Sequence, residues 1–235
     1  MVLRWGSGGR NHAAADSSVT KRPNLLFGED LLPGPQQKRS LDTRARLKAA
    51  GISLFGEKGY EGTSIEEIAQ RANIAVGGFY QHFRSKRQLL LALMNELLER
   101  LDELDLRPRA ASNVRAGLRK FLSRAFYTDL RYLGAYRAWQ EALLSDADLA
   151  RKQRQIQTWT TARVTGAFKL LQQLPGARRG VDVSGIARAM DFFFWSLLAQ
   201  VHQLSEAELD RWLDSGTHLI YHALFTDPPR RGRTN

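Results

Sequence analysis

Residues 63–83 read TSIEEIAQRANIAVGGFYQHF. Ser64-Ile-Glu-Glu67 is a capping box, in which the serine hydroxyl takes a free first-turn amide and Glu67 reaches back to the cap. The helix it opens runs to Ala72, with Ile65, Ile68 and Ala69 inward. Asn73 is one of the few non-glycine residues that tolerates positive φ, and Ile74 is placed to plug the turn. A second short helix is predicted from Ala75 to about His82. Short helices across a tight turn, with small Ala69 at their approach and Phe79 and Phe83 as anchors, describe a helix-turn-helix. A generic helical hairpin satisfies part of the same pattern.

On either side the chain stays helical. From Asp42 onward, Leu47, Ala50, Gly51, Leu54 and Phe55 fall on one helical face, and Gly59 is suited to stop it. A long helix is predicted from Lys86 through Leu104, interrupted at Pro108. Further helices are predicted at 111–127, 129–145, 147–174 and 182–203, with a break at Pro175-Gly176. The last, at 205–225, opens with a second capping box, Ser205-Glu-Ala-Glu208. No alternating strand of useful length occurs, so the fold class is all-α. Residues 1–37 carry Gly6, Gly8, Gly9, Pro23, Gly34 and Pro35 without a sustained period and read as mostly flexible. Leu25–Phe27 with Leu31 and Leu32 form a short apolar patch that could dock on the body.

The chain has 235 residues and a formal charge of +11, from 35 Lys and Arg against 24 Asp and Glu. Residues 38–87 hold ten basic and five acidic side chains, whereas 88–226 hold 18 and 15. One end is therefore suited to a polyanion, which composition alone leaves open between nucleic acid and an anionic membrane surface. The absence of cysteine removes disulfides, thiolate nucleophiles and cysteine-ligated metals. There is no P-loop and no G-x-S-x-G elbow. His218 and His222 are four apart, but Leu219 stands where the zinc-protease motif has Glu, so both read as interface histidines. No enzyme activity, metal or cofactor is expected. No run approaches the ~18–20 apolar residues of a membrane span, and Met1 to Arg10 offers no secretion signal, so a cytoplasmic location is expected.

Residues 47–60 (LKAAGISLFGEKGY), 63–69 (TSIEEIA), 77–83 (GGFYQHF) and Lys86 resemble the N-terminal domain of TetR-type transcriptional regulators, the TetR/AcrR family, across about 42–95. The resemblance implies an N-terminal three-helix helix-turn-helix domain followed by a larger helical ligand-binding and dimerisation domain. It divides the chain into a flexible extension (1–40), a DNA-binding domain (41–87), an effector-binding and dimerisation domain (88–226) and a flexible tail (227–235). Thr63 and Ser64 then correspond to a phosphate-contacting pair, Tyr80 and His82 to contacts with the DNA backbone, and Lys86 to a further phosphate ligand. Val76, Gly78 and Gln81 occupy positions that face base edges, Gln81 as the main hydrogen-bonding candidate and Val76 for a thymine methyl. Gly77 and Gly78 weaken the helix by about 1 kcal/mol each; they permit close backbone approach to DNA, or are tolerated because Phe79 and Phe83 hold the helix. Arg44, Arg46, Lys48, Arg84 and Arg87 surround the motif as a group of candidate phosphate contacts.

The 182–203 segment is apolar all round: Ile186, Met190, Phe193, Phe194, Leu197 and Val201 form one stripe, and Phe192, Trp195 and Leu198 fill the other side. It and 205–225, with Gly216 as a point of close approach, are the expected homodimer interface. Phe126, Trp139, Trp159 and Trp195, together with Tyr127, Tyr132 and Tyr136, are core or effector-pocket aromatics. Asp191, inside an apolar segment, is either paired with an arginine such as Arg137 or a contact for a polar or cationic effector. The function this implies is a homodimeric repressor released from a palindromic double-stranded operator by an unknown small molecule. The alternatives are a non-specific DNA-binding protein and a helical protein-interaction scaffold.

Overall fold

The computed structural model describes residues 21–34, 37–105, 113–201 and 204–226. Their secondary structure is helical: α1 (Lys38–Lys58), α2 (Ile65–Arg71), α3 (Val76–Tyr80), α4 (Lys86–Asp102), α5 (Val114–Leu130), α6 (Leu133–Ala142), α7 (Ala147–Leu171), α8 (Val183–Gln200) and α9 (Glu206–Leu224). An isolated bridge between Ala177 and Phe225 is the only β pairing among the described residues. The expected flexibility of 1–20 and 227–235 and the break at Pro108 lie outside the described residues.

Side chains that satisfy first-turn amides set several helix starts. Both expected capping boxes form, Ser64 with Glu67 and Ser205 with Glu208. Ser85 caps α4 by accepting from Gln88 N, while Asp146 and Asp182 do the same for α7 and α8. Gly59, at φ 75°, ends α1 with its N–H returned to Phe55 O. Asn73 takes φ 54°, as the helix-turn-helix reading requires, and Ile74 N closes back onto Ala69 O.

One hydrophobic core runs through α1 to α4 and on into α6 and α7. Leu47, Phe55, Ile68, Phe79, Phe83, Leu89 and Leu93 belong to it, as do Trp139, Ile156 and Trp159. The helix-turn-helix and the larger helical region therefore share packed side chains across the 87/88 division. Separate clusters join α5, α7, α8 and α9 around Phe168, Ala187 and Leu224, and link α5, α6, α8 and α9 around Phe126 and Leu197.

Residues 21–34 differ from the flexible segment expected. Leu25 is fully buried in the main core. Its N–H donates to Asn95 Oδ1 at 3.1 Å, and its carbonyl accepts from Lys152 Nζ at 2.8 Å. Gln88 Nε2 donates to Asp30 O, and Arg87 holds the Glu29 carboxylate. One apolar anchor and these bonds offset the ordering entropy that glycine and proline content suggested would prevail.

The tightest helix contact is between α1 and α6. A β-carbon at Gly134 would stand 1.9 Å from the Ile52 carbonyl oxygen and 2.9 Å from Gly56 N. Arg137 Nη1 donates to Gly56 O at 2.9 Å. The Glu141 carboxylate accepts from the amides of Tyr60 at 2.6 Å and Glu61 at 3.1 Å. Gly134→Ala should lower stability by about 1–3 kcal/mol or more through overpacking against backbone. Leu25→Ala should cost about 2–4 kcal/mol. Urea unfolding measures both, and a wild-type midpoint for either variant would contradict the packing described.

Candidate nucleic-acid interface

α3 is held from behind and open in front. Phe79 and Phe83 are fully buried, their rings 5.8 Å apart. Val76, Gly77, Tyr80 and Gln81 are exposed. Nothing stands within 4 Å of a β-carbon at Gly77, so this part of the backbone is bare. Gly78 is half-buried, and a β-carbon there would lie in ordinary contact with Ile74 Cδ1 at 3.4 Å. Gln81 follows the last turn of α3 and keeps its amide in solvent.

Several expected phosphate contacts are occupied internally. Thr63 is 1% exposed, and its hydroxyl donates to Gly59 O at 2.7 Å and Leu54 O at 3.2 Å, closing the end of α1. Ser64 is exposed, but its amide donates to Glu67 Oε2 and its hydroxyl accepts from Glu67 N. The Glu67 carboxyl sits at about 2, held down chiefly by its hydrogen bond from Lys58. His82 is 7% exposed; burial, reinforced by the Arg44 charge, lowers its imidazole pKa and disfavours a cation. Lys86 Nζ donates to Tyr60 O at 2.5 Å and Thr63 O at 2.8 Å and lies over the Tyr60 ring. It braces the α1–α2 turn.

The surrounding arginines and lysines follow the same rule. Arg44 stacks on Phe83 and donates to His82 O. Lys48 pairs with Glu96, Arg84 with Asp30, and Arg87 with Glu29, Asp146 and Asp148. Arg46 differs: it is exposed, with a long 3.4 Å contact to Thr43 Oγ1. Arg39, not singled out from the sequence, is exposed seven residues earlier on the same helical face. The basic i, i+7 spacing of Arg39 and Arg46 was the available signal. The outward set is thus Arg39, Arg46, Ser64, Val76, Gly77, Tyr80 and Gln81.

The five aromatic and acidic candidates for an effector pocket do not form one lining. Phe126, Trp139 and Trp159 are core residues; Trp139 Nε1 donates to Gln153 Oε1 at 2.7 Å. Trp195 stacks on Tyr136 at 4.8 Å with its indole beside the Asp191 carboxyl, while the buried indole N–H of Trp159 has no hydrogen-bond partner among the described residues. Asp191 is not paired with Arg137, whose guanidinium is engaged at Gly56 O; it accepts instead from the Thr160 hydroxyl at 3.3 Å. Burial pushes the Asp191 carboxyl above the usual aspartate range. Gly216, expected at a subunit contact, packs against Phe193 of its own chain, at 3.1 Å for a β-carbon. The His218 and His222 rings lie 4.2 Å apart, tilted by 56°, and no group of three or more metal-binding side chains occurs among the described residues.

Comparison with known proteins agrees with this geometry. Residues 47–93 match the profile described as "Bacterial regulatory proteins, tetR family". The chain is 40% identical over 67 residues to the transposon Tn10 TetC protein of Escherichia coli, spanning 28% of this chain and 34% of that protein. It is 37% identical over 76 residues to the HTH-type transcriptional repressor KstR of Rhodococcus jostii, spanning 32% and 34% of the two chains. The match thus covers about a third of these curated relatives. Among solved structures, Salmonella enterica GusR aligns with TM-score 0.64 at 18% identity, over 81% of this chain and 99% of that one. A SmeT–triclosan complex aligns with TM-score 0.62 at 22% identity, over 79% and 92%. These two similarities establish the fold: an N-terminal helix-turn-helix domain and a larger C-terminal helical domain.

Lys86→Ala should lower stability by about 1–2 kcal/mol, measured by urea unfolding without DNA; an unchanged midpoint would argue that the brace is idle. Asp191→Asn should raise the thermal midpoint at neutral pH, because the folded state disfavours the ionised carboxyl. The gain should disappear as pH falls below the usual aspartate range, where both states are protonated in the wild type. A neutral-pH midpoint lower than wild type would overturn that account.

Proposed function

We propose that the chain, whose N-terminal domain belongs to the tetR family of bacterial regulatory proteins, is a homodimeric transcriptional repressor that binds a palindromic operator and is released by a small-molecule effector. The observation that carries the reading is α3: Val76, Gly77, Tyr80 and Gln81 are outward while Phe79 and Phe83 lock its back. Gln81 can pair bidentately with adenine, and Val76 can contact a thymine methyl. Arg39 and Arg46 supply phosphate contacts along α1. Tyr80 adds an exposed ring and hydroxyl for the sugar-phosphate backbone.

Exposed apolar surface on α8 and α9 supports a dimer. Phe192 is 71% exposed, Leu219 63% and Trp212 46%, and together these two helices offer apolar surface that a second copy could cover. A second copy brings a second α3 to the next major groove, about 34–36 Å away. No helix among the described residues is long and apolar enough to cross a membrane, which suits the proposed action on DNA in the cytoplasm. The structural neighbour solved with triclosan supports a small-molecule effector, and the half-buried polar group of Asp191 and Thr160 offers it a polar contact in the larger domain.

The test is selection and sequencing of genomic fragments bound by the purified chain across a salt series. Recovery of a short inverted repeat at moderate salt is the expected result. Uniform recovery that vanishes steeply with salt would replace the operator reading with non-specific binding. On the selected site, Arg46→Ala should flatten the salt slope by about 0.9, with sequence preference retained. Gln81→Ala should lose about 1–3 kcal/mol of discrimination at one base pair.

A further inference from the structure

The charge that is not turned inward in the helix-turn-helix reappears elsewhere. An open cleft of about 880 Å³ lies between the C-terminal end of α4 and α5. Arg100, Arg119, Lys120, Arg124 and Arg131 line it, with Glu103 as its acid. Arg119 is tied to Asp210 and Asp214 of α9, and Arg100 lies 3.6 Å from Glu103. Lys120, Arg124 and Arg131 are exposed and pair with no described carboxylate. They are not scattered: Lys120, Arg124, Tyr127 and Arg131 follow an i, i+4, i+7, i+11 course along one face. Like charges at i, i+4 repel, so the stripe works against its own helix unless something negative lies along it.

The lining is not purely ionic. Tyr127 is half exposed at the centre of the stripe, and Leu104 and Ala116 supply apolar wall, while Ser123 and Thr128 add hydroxyls. The volume falls within the range of small-molecule sites. We propose that this cleft binds an amphiphilic anion: an apolar or aromatic body against Leu104 and Tyr127, and a carboxylate or phosphate head held by Lys120, Arg124 and Arg131. Duplex DNA is the poorer occupant, because Arg100 lies about 20 Å along α4 from Lys86 at the helix-turn-helix. That the ligand acts as the effector rests on the regulator reading; that it binds does not.

α4 gives binding here a physical consequence. Its last turn walls the cleft, and its first residue braces the carbonyls of Tyr60 and Thr63. A ligand that draws Arg100 and Arg124 together bears on the helix that holds the α1–α2 turn.

The experiment is calorimetric titration of the full chain with octyl phosphate, octanoate and neutral octyl glucoside, each below its aggregation concentration and without DNA. Saturable binding of one or both anions, with octyl glucoside much weaker, is the expected result, and the tighter anion identifies the preferred head group. The double variant Arg124→Ala/Arg131→Ala should weaken anion binding about tenfold or more, with an unchanged circular-dichroism spectrum and a thermal midpoint no lower than that of the wild type. Arg124→Lys/Arg131→Lys should restore most of it. Absence of saturable anion binding, equal binding of octyl glucoside, or wild-type affinity in the folded alanine variant would each overturn the proposal. So would displacement of bound octyl phosphate by unrelated duplex DNA. Operator binding is measured separately: a chain that binds octyl phosphate but no operator keeps the cleft and loses the regulator reading, and the converse result does the reverse.

Discussion

The close approach of α6 to α1 determines where the helix-turn-helix sits on the rest of the molecule. Backbone meets backbone at Gly134 and Ile52, with no room for a methyl group. One turn further along, Arg137 takes the Gly56 carbonyl, and beyond it Glu141 takes the Tyr60 and Glu61 amides. These contacts occupy polar groups at the end of α1 that would otherwise be left to solvent or buried unpaired. α2 and α3 hang from that end through Thr63 and the capping box, so the direction in which α3 presents its face follows from the seat of α1 on α6. A rigid seat suits a protein that must place an exposed helix to within the width of a groove.

The basic composition of residues 38–87 performs two jobs, and geometry separates them. Arg44, Lys48, Arg84, Arg87 and Lys86 hold the module together or tie it to α4, α7 and residues 21–34. Arg39 and Arg46 are left facing out. A count of lysines and arginines therefore overstates the number of phosphates the module can neutralise. The carboxylates that absorb the inward group, Glu29, Asp30, Glu96, Asp146 and Asp148, come from outside the module. The local net charge of the sequence could not reveal this cancellation.

What was legible in the sequence is what local physics dictates. The capping boxes, the left-handed Asn73, the stop at Gly59 and the inward stripe of α1 depend on residues within a few positions of one another, and each took the form their chemistry requires. The side chains placed otherwise than expected follow from tertiary geometry. Asp191 meets the distant Thr160 rather than Arg137, while Thr63 and Gly78 turn to Gly59 O and Ile74, each four residues away, according to how the turns between α1, α2 and α3 close. Leu25 lies between the two cases: the patch Leu25–Phe27 with Leu31 and Leu32 was visible as one that could dock, but which of its residues enters the core depends on the gap between α4 and α7, where Leu25 is buried and Phe27 stays exposed. Trp139 and Trp159 were ambiguous between core and pocket because helical spacing is the same for both, and only their complete burial separates the two.

α4 joins the larger helical region to the helix-turn-helix. It is a helix of 17 residues with buried side chains along most of its length, so its two ends move together rather than independently. At one end Lys86 holds two carbonyls of the α1–α2 turn; at the other, Asp102 and the carbonyls of Leu101 and Leu104 are gripped by Arg163 of α7. The Arg163 guanidinium also stacks on Trp159, which anchors it in the core. A ligand near the second end competes with, or reinforces, a charged clamp already in place. The displacement it can drive is bounded by its difference in affinity for the two positions of the helix, and about 1–3 kcal/mol is the usual scale of such coupling. That is comparable to the contribution expected of the Lys86 brace, so a coupling of the usual size is enough to compete with the two hydrogen bonds by which α4 holds the α1–α2 turn.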